Sequence, residues 1–246
     1  MASKFRIDPA NITTVLTSCG RFDLLGETVA SFLDFFDVTR IIVAEDSDKP
    51  IEAATFAKKF PSVDMRINTP RLGQMGSIDR LYATLTTPWV LHLEDDWRFS
   101  RSLDLDRVID FLTVRTDVSV VCIAHGVYNP KYSPKSGKTL HGGIDYRVWD
   151  LDAHPKWFSY SFNPTVARLD FWRQHGPFQR FGVEQDVSQF CKERGMRIAH
   201  VDPGIADHIG DKRHVADPFQ PPRAKTPLAR LKRSIAKRLA RLSPGG

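Results

Sequence analysis

Three consecutive carboxylates, Glu94-Asp95-Asp96, end an apolar run from Trp89 to Leu93. An apolar run of this length behind the turn residues Thr87-Pro88 reads as a buried strand. Three acids at its end are costly to desolvate unless something positive sits there. A divalent cation with oxygen ligands, Mg²⁺ or Mn²⁺, itself bridging phosphates, meets that need. The ends of strands in open α/β sheets are also where ligands bind. The other reading is a capping cluster for the next helix, or a solvated turn. Two further acidic pairs follow the same logic. Glu45-Asp46 ends the run Ile41 to Ala44, and Glu184 with Asp186 opens a helix, where acids also favour the dipole.

The elements that position these residues alternate. Strands are expected at Thr13 to Thr17, Ile41 to Ala44, Val63 to Asn68, Trp89 to Leu93, Val118 to Ala124, Ser159 to Ala167 and Ile198 to Val201. Helices are expected at Phe22 to Phe36, Ile51 to Phe60, Ser77 to Leu85, Leu105 to Thr113, Leu169 to His175 and Val187 to Arg194. Arg71 to Gly76 reads as a glycine-containing loop. From Tyr128 to Trp157 glycines and prolines break the pattern, as in a functional loop. Alternating strands and helices argue for an α/β protein with a mostly parallel sheet covered on both faces.

The 246 residues suffice for a buried core, and three scattered cysteines fit reduced thiols and no zinc knuckle. No apolar run reaches the roughly 18 residues that cross a bilayer, and no apolar leader stands at the N-terminus. Eight Lys and Arg and no acid follow Asp217, so the net charge of +6 less these eight leaves −2 on the rest. Behind Pro218, Pro221 and Pro222, Leu228, Leu231, Ile235, Leu239 and Leu242 recur at helical spacing among those cations. Residues 223–242 thus read as a basic amphipathic helix suited to an anionic membrane surface. The run has no aromatic residues to stack bases, so no nucleic-acid partner is expected.

Taken together the strand-end motifs resemble an inverting glycosyltransferase of the GT-A fold, most like family 2. The resemblance covers Thr13 to His214. Thr14-Val15-Leu16-Thr17-Ser18-Cys19-Gly20-Arg21 resembles the opening strand and nucleotide-binding loop. Val43-Ala44-Glu45-Asp46-Ser47-Asp48 resembles the acidic turn that holds the donor's base. Gly73-Gln74-Met75-Gly76-Ser77-Ile78-Asp79-Arg80 stands where the family has a glycine-rich segment, and Glu94-Asp95-Asp96 resembles the Asp-x-Asp metal motif. Gly182-Val183-Glu184-Gln185-Asp186, ahead of Arg194-Gly195, resembles the acidic catalytic motif, and His208 stands where many such enzymes place a metal-binding histidine. Two departures are plain: Glu94 replaces the first Asp, and the opening loop lacks Pro-x-Tyr-Asn.

The resemblance implies a GT-A, Rossmann-like domain over 1–217, with a donor half at 13–125 and an acceptor half at 126–217, then a linker and tail at 218–246. It implies Glu184 as general base, with Asp186 the other candidate. Glu94, Asp96 and His208 would hold Mn²⁺ or Mg²⁺. Thr17, Ser18, Arg21, Asp46, Arg71, Gly73, Gln74, Asp79 and Asp95 would meet the donor nucleotide, Arg213 and His214 its phosphates, and Trp157 and Asn163 the acceptor. The partners would be a nucleoside-diphosphate sugar and a glycan or lipid-linked hydroxyl acceptor, in bacterial polysaccharide or glycoconjugate synthesis. The enzyme would be cytoplasmic, or peripheral on the inner membrane face. Two other functions are a nucleotidyltransferase that makes nucleotide sugars and a non-catalytic nucleotide- or membrane-binding module. The turn Ser18-Cys19-Gly20-Arg21 is short for the phosphate loop of the first of these.

Overall fold

The structure is a computed structural model that describes residues 4–126, 137–210 and 213–219. The chain runs β1 (Phe5–Arg6), β2 (Ile12–Ser18), α1 (Phe22–Phe35), β3 (Phe36–Asp37), β4 (Ile41–Glu45), α2 (Pro50–Lys59), β5 (Val63–Ile67), α3 (Gly73–Tyr82) and β6 (Trp89–Glu94). It continues through β7 (Trp97–Phe99), α4 (Leu105–Val114), β8 (Val118–Cys122), β9 (Thr139–His141), β10 (Ile144–Val148), β11 (Thr165–Arg168) and α5 (Leu169–His175). A 3-10 turn (Phe178–Phe181), α6 (Glu184–Glu193), β12 (Arg197–Val201) and β13 (Ala206–His208) complete it. The compact unit ends at Val215, and a second unit begins at Ala216.

A nine-stranded sheet in the order β5-β4-β2-β6-β11-β8-β12-β10-β9 is the backbone of the compact unit. Within it β11 and β10 run against the other strands. Strands covered on both faces should be apolar throughout. Val15, Leu16, Ile41, Val43, Val90, Leu91, Leu93, Val120 and Val121 are all buried. His92, in the middle of β6, stays neutral: burial lowers its pKa to about 3, and Nδ1 lies 3.1 Å from the Tyr82 hydroxyl.

The chain leaves β2 toward β4 and β5 on one side and returns to place β6 on the other, so β2 sits at a topological switch point. The register pairs Ser18 with Glu45 and Thr17 with Glu94. All three acidic or polar strand ends therefore reach one edge together.

Several boundaries differ from the sequence expectation, each for a physical reason. The glycine loop is shorter, because α3 begins at Gly73 instead of Ser77, where Asp46 satisfies the first amides. Helix α6 begins at Glu184 instead of Val187. The strand expected from Ser159 to Ala167 is confined to Thr165–Arg168. Ser119 Oγ and Ser188 Oγ instead hold the backbone at Ser159. Part of the irregular stretch is a hairpin of β9 and β10 on the sheet edge, and 127–136 lie outside the described residues. The basic segment 223–242 also lies outside them. Among the described residues, no helix is long and apolar enough to cross a membrane.

Candidate active site

The acids after β6 are held by a two-stranded ribbon that the sequence did not reveal. β7 pairs antiparallel with β13, opposing His208 to Trp97. Helix α1 fixes the other side of β7: Thr28 Oγ1 accepts from Trp97 N at 3.0 Å and Ser31 Oγ from Phe99 N at 3.1 Å. Ile209 N donates to the Asp96 carbonyl at 2.9 Å. Two elements far apart in sequence thus set Asp96 and His208 side by side, with His208 Nε2 3.3 Å from Asp96 Oδ2. Gly210 completes the contact, because any Cβ there would overlap the Asp96 carboxylate.

Arg21 supplies the positive charge that the buried acids demand. Its Nε and NH2 donate to the two oxygens of Asp95, and NH1 lies 2.9 Å from Asp96 Oδ2. Ser18 Oγ adds a bond to Asp95 Oδ2 at 3.2 Å. Burial still pushes the Asp95 carboxyl up to about 6, with Arg21 pulling the other way. Arg21 NH1 also donates to the Arg213 carbonyl at 3.0 Å, while the Arg213 guanidinium grips Asp23 at 2.5 and 2.9 Å. So Arg213 reaches the site through its backbone, and its charge is taken by Asp23. His214 is exposed.

Glu94 has hydrogen-bond partners of its own. Its carboxylate accepts from Gln74 Nε2 at 3.0 Å and from Trp97 Nε1 at 3.4 Å. Burial, then the Glu184 charge, raises its pKa well above the usual range. Glu184 opens α6 half-buried, hydrogen-bonded to Ser161 and the Phe162 backbone, and burial pushes it up to about 7. Asp186, two residues on, is exposed. Glu94 thus lies within electrostatic reach of Glu184 and of Asp95 and Asp96, while Asp95 and Asp96 share Arg21 and Asp96 meets His208.

Two residues expected at the donor are hydrogen-bonded within the fold. Asp79 accepts from Trp172 Nε1 at 2.7 Å, Phe178 N at 2.7 Å and Gln179 N at 2.8 Å. It fastens the 3-10 turn to α3. Asp46 Oδ1 takes Leu72 N at 2.6 Å and Asn68 Nδ2 at 3.0 Å, and Oδ2 takes Gly73 N at 2.9 Å. Its lone pairs serve the N-terminus of α3, where negative charge also meets the helix dipole. Arg71 Nε donates to the Asp46 carbonyl at 2.7 Å. Thr17 is buried at the end of β2 beside Glu94. Trp157 and Asn163 are both half-buried in the stretch between β10 and β11. The aromatics Trp149, Tyr160 and Phe162 are core residues.

The residues present fit a divalent cation at Asp96 and His208. A separation of 3.3 Å is near the roughly 3.0 Å that two adjacent octahedral ligands keep around one ion bonded at about 2.1 Å. No group of three His, Cys, Asp or Glu is arranged for a metal among the described residues. The remaining ligands would therefore come from phosphate and water, as is usual for Mg²⁺. A cavity of about 250 Å³ at the opposite ends of the strands, lined by Ile12, Thr13, Arg40 and Thr87, includes none of these residues.

No protein-family model matches the chain. Among curated proteins, β-1,4 N-acetylgalactosaminyltransferase 1 of Rattus norvegicus is 28% identical over 112 residues, 46% of this chain. The Homo sapiens protein is 27% identical over the same length. The chain spans 20% of the length of each of these relatives. Among solved structures, the mannosyltransferase PcManGT of Pyrobaculum calidifontis, in complex with GDP-Man and Mn²⁺, aligns over 82% of this chain and 58% of its own, at 14% identity and a TM-score of 0.56. S. aureus TarS with UDP aligns over 80% and 59%, at 12% and 0.53. GalNAc-T7 with UDP, GalNAc and Mn²⁺ aligns over 92% and 48%, at 11% and 0.56. The chain has the GT-A fold of these glycosyltransferases.

Proposed function

We propose that this chain is a glycosyltransferase that moves a sugar, with inversion, from a nucleoside-diphosphate donor to a hydroxyl acceptor with the help of Mn²⁺ or Mg²⁺. The observation that carries the reading is the Asp96–His208 pair, next to a Glu94 that feels the charges of both Glu184 and Asp96, in a fold whose solved examples hold GDP-Man, UDP and Mn²⁺.

Glu184 is the base. A carboxyl pushed up to about 7 is half ionised at neutral pH and still basic enough to take a proton. It accepts the acceptor's hydroxyl proton as that oxygen bonds to the anomeric carbon. The bond from this carbon to the diphosphate breaks on the opposite side, and the nucleoside diphosphate leaves with the electron pair. Asp96 and His208 would hold the cation, which supplies Lewis-acid stabilisation of the leaving diphosphate. Arg21 lies at the same edge, where it can pair with phosphate oxygens. Ser18, Thr17 and Arg71 line the nucleotide side. Glu94 and Gln74 stand between the base and the acids, where a donor sugar's hydroxyls would meet them. Trp157 and Asn163 are assigned to the acceptor. Residues 223–242 are proposed to rest on an anionic membrane surface and so bring the site to a glycan or lipid-linked acceptor on the cytoplasmic side.

The test is thermal stabilisation by UDP, GDP, CDP and dTDP, with and without Mn²⁺, on the wild type and Asp96→Ala, followed by turnover of the matching donor sugars. One nucleotide should stabilise the wild type in a Mn²⁺-dependent way that Asp96→Ala loses. Glu184→Gln should bind that nucleotide and turn over at least about a hundredfold more slowly. Full turnover by Glu184→Gln would refute the assignment of the base.

A further inference from the structure

Arg21 occupies more of the acidic edge than a nucleotide contact requires. Its guanidinium spans both oxygens of Asp95 and reaches Asp96 Oδ2, the same oxygen that faces His208 Nε2. A divalent ion bound between that oxygen and His208 would stand beside NH1, cation against cation. The guanidinium is also anchored from outside: NH1 donates to the Arg213 carbonyl. Arg213 in turn is clamped on Asp23, whose carboxyl it holds down near 2. Yet the Arg21 side chain is 18% exposed, so an arriving anion can touch it while Asp95, at 2%, remains covered.

Resting on the donor and metal reading above, we propose that Arg21 is an internal counter-cation that keeps Asp95 and Asp96 from binding a divalent ion until a nucleoside diphosphate draws the guanidinium off them. Two carboxylates left bare at a buried strand end would carry an unbalanced charge, and Arg21 neutralises it. The same neutralisation lowers the site's attraction for a metal, because a unit positive charge a few ångströms away opposes the ion. A diphosphate offers the guanidinium paired oxygens of higher charge than a carboxylate. Once Arg21 bonds to phosphate, Asp96 Oδ2 is free beside His208, and the diphosphate brings the further oxygen ligands that the protein lacks. Metal and nucleotide then bind with positive coupling, each raising the other's affinity by the same factor.

Mn²⁺ binding, followed through the electron paramagnetic resonance of the free ion, separates this from a purely structural clamp. MnCl₂ is titrated into the wild type and Arg21→Met, alone and with saturating UDP or GDP. Arg21→Met alone should bind Mn²⁺ about tenfold more tightly than the wild type alone, or better. A nucleotide should tighten Mn²⁺ binding by both proteins, because its phosphate oxygens are ligands in either, and by at least about threefold more in the wild type, where it also draws Arg21 off Asp96. Folded Arg21→Met, shown by an unchanged circular dichroism spectrum, that binds Mn²⁺ no more tightly than the wild type overturns the proposal. If Arg21→Met does not fold, Arg21→Lys serves. It keeps a charge on Asp95 but cannot span both acids, so it should still bind Mn²⁺ more tightly than the wild type, and equal affinity overturns the idea. A wild type whose Mn²⁺ affinity ignores both nucleotides overturns the release step. Thermal stabilisation by UDP or GDP without Mn²⁺ then tells whether the donor reading has fallen with it.

Discussion

Glu184→Gln has a consequence for folding that needs no substrate to observe. Burial raises this carboxyl from 4.5 to about 7, while its bonds to Ser161 and Phe162 pull the other way. Below pH 4.5 the group is protonated in the folded and unfolded chains alike, and it affects stability little. Between 4.5 and about 7 the unfolded chain releases the proton and the folded chain retains it, so stability falls as pH rises. Above about 7 the loss is complete. At about 1.4 kcal/mol per pH unit the full gap is worth about 3 kcal/mol, and the partial exposure of Glu184 brings the expected loss to about 1–3 kcal/mol. Glutamine fills nearly the same volume without the charge. Urea unfolding of both proteins from pH 5 to 9 measures the effect. The variant should exceed the wild type by less than about 1 kcal/mol near pH 5, where the loss has only begun, and by about 1–3 kcal/mol at pH 9. The Glu184 charge is one cause of the raised Glu94 pKa, so the variant also relieves Glu94, which adds to the difference at high pH. A stability difference that stays flat with pH would show Glu184 to be an ordinary solvated acid. The physical case for it as a base at neutral pH would then be gone.

Asp79→Ala leaves Trp172 Nε1, Phe178 N and Gln179 N without an acceptor. It should cost about 2–4 kcal/mol in chemical denaturation, with Mn²⁺-dependent nucleotide binding retained by the folded protein. A loss of binding at unchanged stability would return Asp79 to the donor site. Gly210→Ala forces a Cβ into the Asp96 carboxylate. Mn²⁺-dependent stabilisation by the nucleotide should weaken about tenfold, and the urea midpoint should fall as well, since Gly210 and the Asp96 carboxylate are both buried. Unchanged nucleotide binding would mean that Asp96 has no metal to hold.

Which parts were legible in the amino-acid order follows from how local the causes are. The buried parallel strands were, because covered strands must be continuously apolar, and Ile41 to Glu45 and Trp89 to Glu94 announce both the strand and its acidic end. The start of α3 was not, because its cap comes from Asp46, far back in the chain, and no residue next to Gly73 signals it. The division of the three acids was hidden for a similar reason. Glu94, Asp95 and Asp96 look alike in sequence. One binds Gln74, one is clamped by Arg21, and one meets His208. The last contact depends on a ribbon whose strands, Trp97–Phe99 and Ala206–His208, are three residues each, too short for any periodicity to show. The internal role of Asp79 was not legible either: it stands within a glycine-rich segment, yet its three partners all lie on or before the turn that leads to α6. That bond helps place the helix that carries Glu184. A residue expected to touch the donor thus also holds the segment from which Glu184 projects.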